Sequence, residues 1–181
     1  MVRFLGKCAV CVLLALTVAP IERVVVAQAG KAAGKITVDG ATVTIAAASA
    51  VGYTSTGGQL VSVLLSDKPA DASTFAEDTR GAGPDFVPGI FSGAWKSQHF
   101  GKRYSGFTFT VTADGNLMLD EILVGGKNET FSLGSDQYVL ELTSKSPRLA
   151  GRIRTKTPVV DVGRKVGVDV TFDVPVSAPP K

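Results

Sequence analysis

The sequence predicts an all-β fold, either an antiparallel β-sandwich or a partly closed β-barrel, preceded by an N-terminal signal helix. Two observations lead to this prediction. From Lys35 onward the apolar residues recur with a period of two, which is typical of strands with one buried face. Two Asp-Gly pairs, Asp39-Gly40 and Asp114-Gly115, fit the tight turns that join antiparallel neighbours, and the first can adopt a type I′ turn.

The first half of the chain contains a central strand. After a strand over 47–53 and a glycine-containing turn, the run over 60–66 is nearly continuous in apolar residues, which predicts a strand covered on both faces. Pro69 ends this strand because proline cannot donate a hydrogen bond to a ladder. Residues 70–88 show no strand period, and 73–78 can form one helical turn, so we expect a long irregular excursion here.

The second half is a succession of short strands. In the last of them, Val168 and Phe172 lie on one face and Asp169 on the other. Asp120-Glu121 interrupts the alternation of its own strand, which indicates a bulge or an edge. The expected strands cover 89–97, 105–113, 116–124, 129–133, 138–143, 148–155 and 166–176.

The apolar sides of these strands define the expected core, while Thr108 and Thr171 are expected on the strand faces opposite the core. The predicted core residues are Ile36, Val43, Val63, Leu65, Phe107, Phe109, Leu140, Leu142, Val168, Val170 and Phe172.

Residues 1–29 are typical of an export signal. Arg3 and Lys7 precede an apolar run over 8–19, and Ala27-Gln28-Ala29 has the small residues of a cleavage site. The run is too short to cross a bilayer, so we expect cleavage, with a cut after Ala19 or retention as an anchor as the alternatives.

The expected organisation is therefore a signal peptide over 1–29 and a single β-domain over 30–181, secreted or periplasmic, with no membrane span in the mature chain. Both cysteines lie in the signal, so the mature domain has no thiol. Removing 1–29 takes away three basic residues and one acidic residue, which leaves 16 basic and 15 acidic residues. This balance does not favour nucleic acid as a partner, since nucleic-acid binding requires a clustered basic surface.

Short strand and turn motifs resemble those of a loose group of uncharacterised exported bacterial β-proteins. The motifs are Ile36-Thr37-Val38-Asp39-Gly40, the segment 63–69 with sequence VLLSDKP, a Phe/Thr strand after it and a closing Val-Asp-Val-Thr-Phe strand. The resemblance covers most of 34–176. It implies an exported β-domain and assigns no functional residue.

The strongest candidate binding site gathers aromatic and cationic residues within a short stretch. Such a combination suits a sugar, a lipid head group or a peptide, and the glycine at Gly93 can let a flat ligand approach the backbone. The alternative is that Trp95 belongs to the core and the cations line a turn. The predicted site residues are Phe91, Trp95, His99, Lys102, Arg103 and Tyr104, with Phe100 beside them.

Catalysis and metal binding have weaker support. His99 is the only histidine, and no Gly-x-Ser-x-Gly motif accompanies it, so we assign no catalytic residue. One histidine without a mature cysteine argues against the usual zinc sites, and we predict no metal and no cofactor. Five acids lack the spacing of a calcium loop and are interpreted as solvated: Asp67, Asp71, Glu77, Asp78 and Asp85.

These observations favour an exported, non-catalytic β-domain that binds a small molecule, a polymer or a protein partner, or has a structural role in the bacterial envelope. The alternative is a hydrolase or isomerase that uses His99 with a carboxylate from the 70–88 loop. A further possibility is a subunit whose edge strand pairs with a neighbour. Arg152 and Arg154 are interpreted as the solvated face of a strand.

Overall fold

A computed structural model of the chain describes residues 30–55, 58–69, 104–124, 129–161 and 163–178. These residues form ten strands and one short 3₁₀ helix, Ser135–Gln137, without an α-helix, which confirms the all-β prediction. The expected signal helix, the helical turn over 73–78 and the strand over 89–97 lie outside the described residues. The strands are β1 Gly30–Val38, β2 Ala41–Ser55, β3 Gly58–Ser66, β4 Gly106–Thr112, β5 Leu117–Val124, β6 Glu129–Phe131, β7 Tyr138–Ser144, β8 Arg148–Thr155, β9 Val159–Asp161 and β10 Arg164–Ser177.

All ten strands belong to one sheet that curls into a half-barrel. Its order is β6-β5-β4-β3-β2-β1-β10-β8-β7, with β9 paired to β10. The pairings are antiparallel except for a two-residue parallel contact between the end of β10 and β2. Of the two predicted architectures, the single curled sheet corresponds to the partly closed barrel.

Both Asp-Gly turns join antiparallel neighbours, as predicted. Asp39 and Gly40 have φ angles of 49° and 83°, the two positive values of a type I′ turn, and Val38 pairs with Ala41. At the second turn only Gly115 has a positive φ, 94°, so this loop is longer and ends in a left-handed glycine.

The strand expected over 47–53 is continuous with the strand that follows the Asp39-Gly40 turn, so the expectation of a separate strand there was wrong. β2 runs through fifteen residues, pairing with β1 along its first half and with β3 from Ala47 onward. A bulge in β1 between Lys31 and Gly34 shifts the register here. The alternation of β2 therefore changes: Ile45 faces the core before the shift, and Ala48, three residues later, faces it after the shift. Small side chains allow this change of face without ending the strand.

The concave side of the half-barrel carries the core. Phe107 stacks on Phe109 and on Tyr138 at centroid distances of 5.2 Å, and Phe109 meets Phe172 edge-on at 5.8 Å. These rings connect β4 with β7 and β10 across the curl. Most predicted core residues are buried, whereas Val43, Leu140 and Leu142 are only partly buried and pack against the core from its margin.

The convex side of β2–β5 is buried as well. We call this surface the outer face. Thr108 lies on it, on the side away from the core as expected, and is only 6% exposed because this face is itself buried. Val63, Leu64 and Leu65 are all fully buried, which confirms that β3 is covered on both sides. The buried residues of the outer face are Ala47, Ser49, Val51, Tyr53, Leu60, Ser62, Leu64, Ser66, Thr108, Thr110 and Leu123.

Candidate functional site

Tyr104 is the one residue of the sequence-predicted binding site that the structure describes. It lies just before β4, is 5% exposed, and its ring centre is 5.4 Å from the ammonium of Lys68, within the range of a cation–π contact. The aromatic ring is therefore packed. The other members of the predicted site lie outside the described residues, and the site stays a prediction: Phe91, Trp95, His99, Lys102 and Arg103, with Phe100.

Asp67, one of the five acids considered for calcium, joins the two chain segments that flank 70–103. Its N–H donates to the carbonyl oxygen of Ser105 at 2.9 Å, and its carboxylate accepts the N–H of Ser105 at 3.1 Å. The other four acids lie outside the described ranges. Among the described residues, no group of three or more His, Cys, Asp or Glu side chains is placed to hold a metal ion.

The convex side of β1, β10, β8 and β7 is charged and exposed. Arg152 donates to Asp169 through two nitrogens, each at 2.8 Å, and this hydrogen bonding holds the pKa of Asp169 below its ordinary value. Two further pairs, Arg148–Asp173 at 2.7 Å and Arg154–Glu141 at 3.5 Å, repeat the pattern. The prediction of a solvated strand face is confirmed, and the charges on it bind one another across the strands.

The Leu117–Glu121 part of β5 and the strand β7 are connected by side chains and not by backbone pairing in the described residues, and we call the boundary between them the seam. Side chains bridge it at both ends. The hydroxyl of Tyr138 donates to Asp120 at 2.9 Å, and the ammonium of Lys145 donates to the carbonyl oxygen of Asp114 at 2.7 Å. Within the described part of the chain, no backbone ladder joins β5 to β7.

Asp120 lies at the Tyr138 end of the seam and accepts several hydrogen bonds there. Its carboxylate accepts the N–H groups of Leu133 and Gly134 at 2.7 and 3.1 Å, in addition to the hydroxyl of Tyr138. Burial, together with the charge and hydrogen bond of Asp120, raises the pKa of Tyr138 far above its ordinary value. The predicted irregularity at Asp120 is confirmed, since the β4–β5 register shifts between Phe109 and Val111.

The seam is lined by apolar side chains that are not fully buried. Leu117 comes from β5, Leu140 and Leu142 come from β7, and Leu133 precedes β7; all four pack against the margin of the core. Met118, next to Leu117, is 50% exposed. These residues give both sides of the seam an apolar surface.

The backbone of β7 has hydrogen-bonding groups on the side away from β8. The N–H of Lys156 donates to the carbonyl of Gln137 at 2.9 Å, so Gln137 and Lys156 form a hydrogen-bonded pair. Bonding alternates along an antiparallel ladder, so the N–H and C=O of Leu140 and Leu142 point away from β8. In the described ranges no strand pairs with this side of β7.

Sequence reasoning missed the seam. The alternation of Leu140 and Leu142 was visible and was interpreted as core, because nothing local shows that β7 lies at the end of the sheet. The contact between Asp120 and Tyr138 depends on the curl of the whole sheet. No sequence pattern indicates it.

Comparison with known proteins returned no match: no family model, no curated protein and no solved structure resembles the chain significantly. In the described part of the chain, no helix has the length and apolar character needed to cross a membrane.

Proposed function

We propose that this chain is an exported β-domain that acts by binding, without catalysis, and that its ligand is an extended segment of another polypeptide that pairs with β7 along the seam. The observation that carries the proposal is the exposed edge of β7, where the backbone groups of Leu140 and Leu142 face the seam and no described strand pairs with them.

An extended polypeptide fits this edge better than a small molecule does. Outward N–H and C=O groups recur at every second residue of β7, and an added strand supplies the complementary groups in the same spacing. Alternate side chains of that strand would face Leu117, Leu140 and Leu142, which are partly exposed.

The edge carries little of the protection that isolated edge strands usually have. β7 contains no proline, and its one charged residue, Glu141, is paired with Arg154 on the convex face. The Tyr138–Asp120 and Lys145–Asp114 hydrogen bonds bridge the seam between side chains. Opening it breaks side-chain hydrogen bonds, each contributing about 0.5–3 kcal/mol, and leaves the backbone ladders intact.

The test uses peptides selected from a phage-displayed random library against the protein recovered after export, with affinity measured by fluorescence anisotropy. Leu140→Pro removes an N–H that points into the seam without removing a bond to β8, and should weaken binding at least tenfold. Leu140→Ala is the matched control, since it keeps the N–H, and should weaken binding less. Tyr138→Phe removes one bridge and should strengthen binding several-fold.

Circular dichroism verifies that each variant keeps its β-sheet. Selected peptides that bind Leu140→Pro as tightly as the unmodified protein would show that binding does not use the β7 edge. A library that yields no specific binder would also contradict the proposal.

A further inference from the structure

The outer face of β2–β5 is a second buried surface that the strands themselves do not explain. Leu64 is fully buried and Val51, Ser62 and Thr110 are at most 2% exposed, yet all four project away from the core side of the sheet. The apolar residues of this face do not belong to the core cluster.

Polar side chains on the outer face have hydrogen-bond partners within the chain and do not need water. The Thr108 hydroxyl donates to the carbonyl of Val63 at 3.0 Å, and the Ser66 hydroxyl donates to the carbonyl of Lys68 at 2.7 Å. Tyr53 shares a side-chain hydrogen bond with Thr110, and burial raises the pKa of Tyr53. Because these hydroxyl groups are already hydrogen-bonded, the methyl groups and aromatic rings are left to contact a segment packed on the outer face.

The rest of the convex surface is different. On β1, β10 and β8 the outward side chains include the exposed pairs Arg152–Asp169 and Arg148–Asp173. The convex surface therefore changes from charged and exposed to apolar and buried within one sheet. A segment that packs on the convex side would contact only β2–β5.

We propose that residues 70–103 pack on the outer face and form the second layer of the domain on that side. The segment leaves after Pro69 and returns at Tyr104, and its two flanks are joined by the Asp67–Ser105 hydrogen bonds at the edge of this face. It also holds four of the nine phenylalanines and the only tryptophan, and these side chains require an apolar partner.

Residues 1–29 are the other stretch of comparable length outside the described ranges, and they fit less well. They join the sheet at one end only, through Gly30 of β1, and the sequence predicts their removal. The proposal is independent of strand binding at the seam, because it concerns the convex side of β2–β5.

Photo-leucine incorporation tests the proposal in the intact chain. Leu60, Leu64 and Leu123 lie on the outer face, while Leu65 and Leu149 lie in the core and serve as internal controls. After irradiation and peptide mass spectrometry, the three outer leucines should form crosslinks to peptides from 70–103, and the two core leucines should crosslink to strands. Crosslinks from the outer leucines to 1–29 or to a second copy would overturn the proposal, as would reaction with water alone.

Thiol accessibility gives a second test. Ser49→Cys places a thiol on the outer face, and Thr44→Cys, on the same strand, places one on the exposed side. The Thr44→Cys variant should be labelled at least tenfold faster than the Ser49→Cys variant. Changing Phe86, Phe91 and Trp95 to serine should remove most of that difference while the sheet persists. Equal rates in the two otherwise unmodified variants would overturn the proposal, and so would continued protection of the thiol at position 49 after the three serine changes.

Discussion

Replacing Asp120 by alanine removes the group that fastens the Tyr138 end of the seam. Its carboxylate accepts two backbone N–H groups, from Leu133 and Gly134, and the hydroxyl of Tyr138. A hydrogen bond to a charged group contributes about 1.5–3 kcal/mol, but water replaces part of this at a half-buried site, so we expect the free energy of unfolding to fall by about 3–4 kcal/mol. Tyr138→Phe loses one hydrogen bond and keeps the stack on Phe107, so its expected loss is about 1–2 kcal/mol.

Urea unfolding of both single variants and of the double variant, followed by circular dichroism, measures these losses. The double variant should lose less than the sum of the single losses, with a coupling energy of about 1 kcal/mol or more. A loss for Asp120→Ala no larger than that for Tyr138→Phe would refute the reasoning, because it would mean that the two backbone bonds add nothing.

Three further predictions concern stability. Phe109→Ala should lower the free energy of unfolding by about 3–5 kcal/mol, whereas Thr171→Ala, on the solvated face, should lower it by much less; similar losses in urea would contradict the assignment of faces. The raised pKa of Tyr138 stabilises the folded chain below about pH 10, where unfolded tyrosine begins to ionise, and this stability is lost as the pH rises further. Urea midpoints measured from about pH 8 to about pH 11 should therefore fall above about pH 10, and less steeply in Tyr138→Phe; an equal slope would assign the effect to other groups. Gly106→Ala would place a methyl carbon 2.2 Å from the carbonyl oxygen of Leu65, so β3 and β4 must separate. Thermal unfolding should then show a loss of stability of about 1–3 kcal/mol, and an unchanged midpoint would contradict this packing.

Local chemistry made much of the sheet predictable. The Asp39-Gly40 turn, the alternation of β10 and the apolar run of β3 are each determined by residues close in sequence, and all three predictions are confirmed. The continuity of β2 was not predictable, because it depends on a bulge in its neighbour β1.

Sheet order was the information that the sequence lacked. Leu140 and Leu142 alternate like core residues, and only the position of β7 at the end of the sheet leaves them partly exposed. Thr108 faces away from the core in its strand, and the sequence does not show that this outer face is buried as well. Most of the aromatic and cationic site lies outside the described residues, so that site stays a prediction.

The pairing of β1 with β10 has a consequence for how the domain is assembled. Eight residue pairs connect Lys31–Val38 with Val166–Asp173, so the first strand of the sheet lies between the second strand and the last. A chain delivered N-terminus first, whether by a ribosome or through a membrane pore, leaves one edge of β1 open until nearly the whole domain has emerged. Contacts between such distant parts of a chain form slowly. The pairing of β1 with β10, and with it the sheet, is therefore completed only after β10 has been delivered.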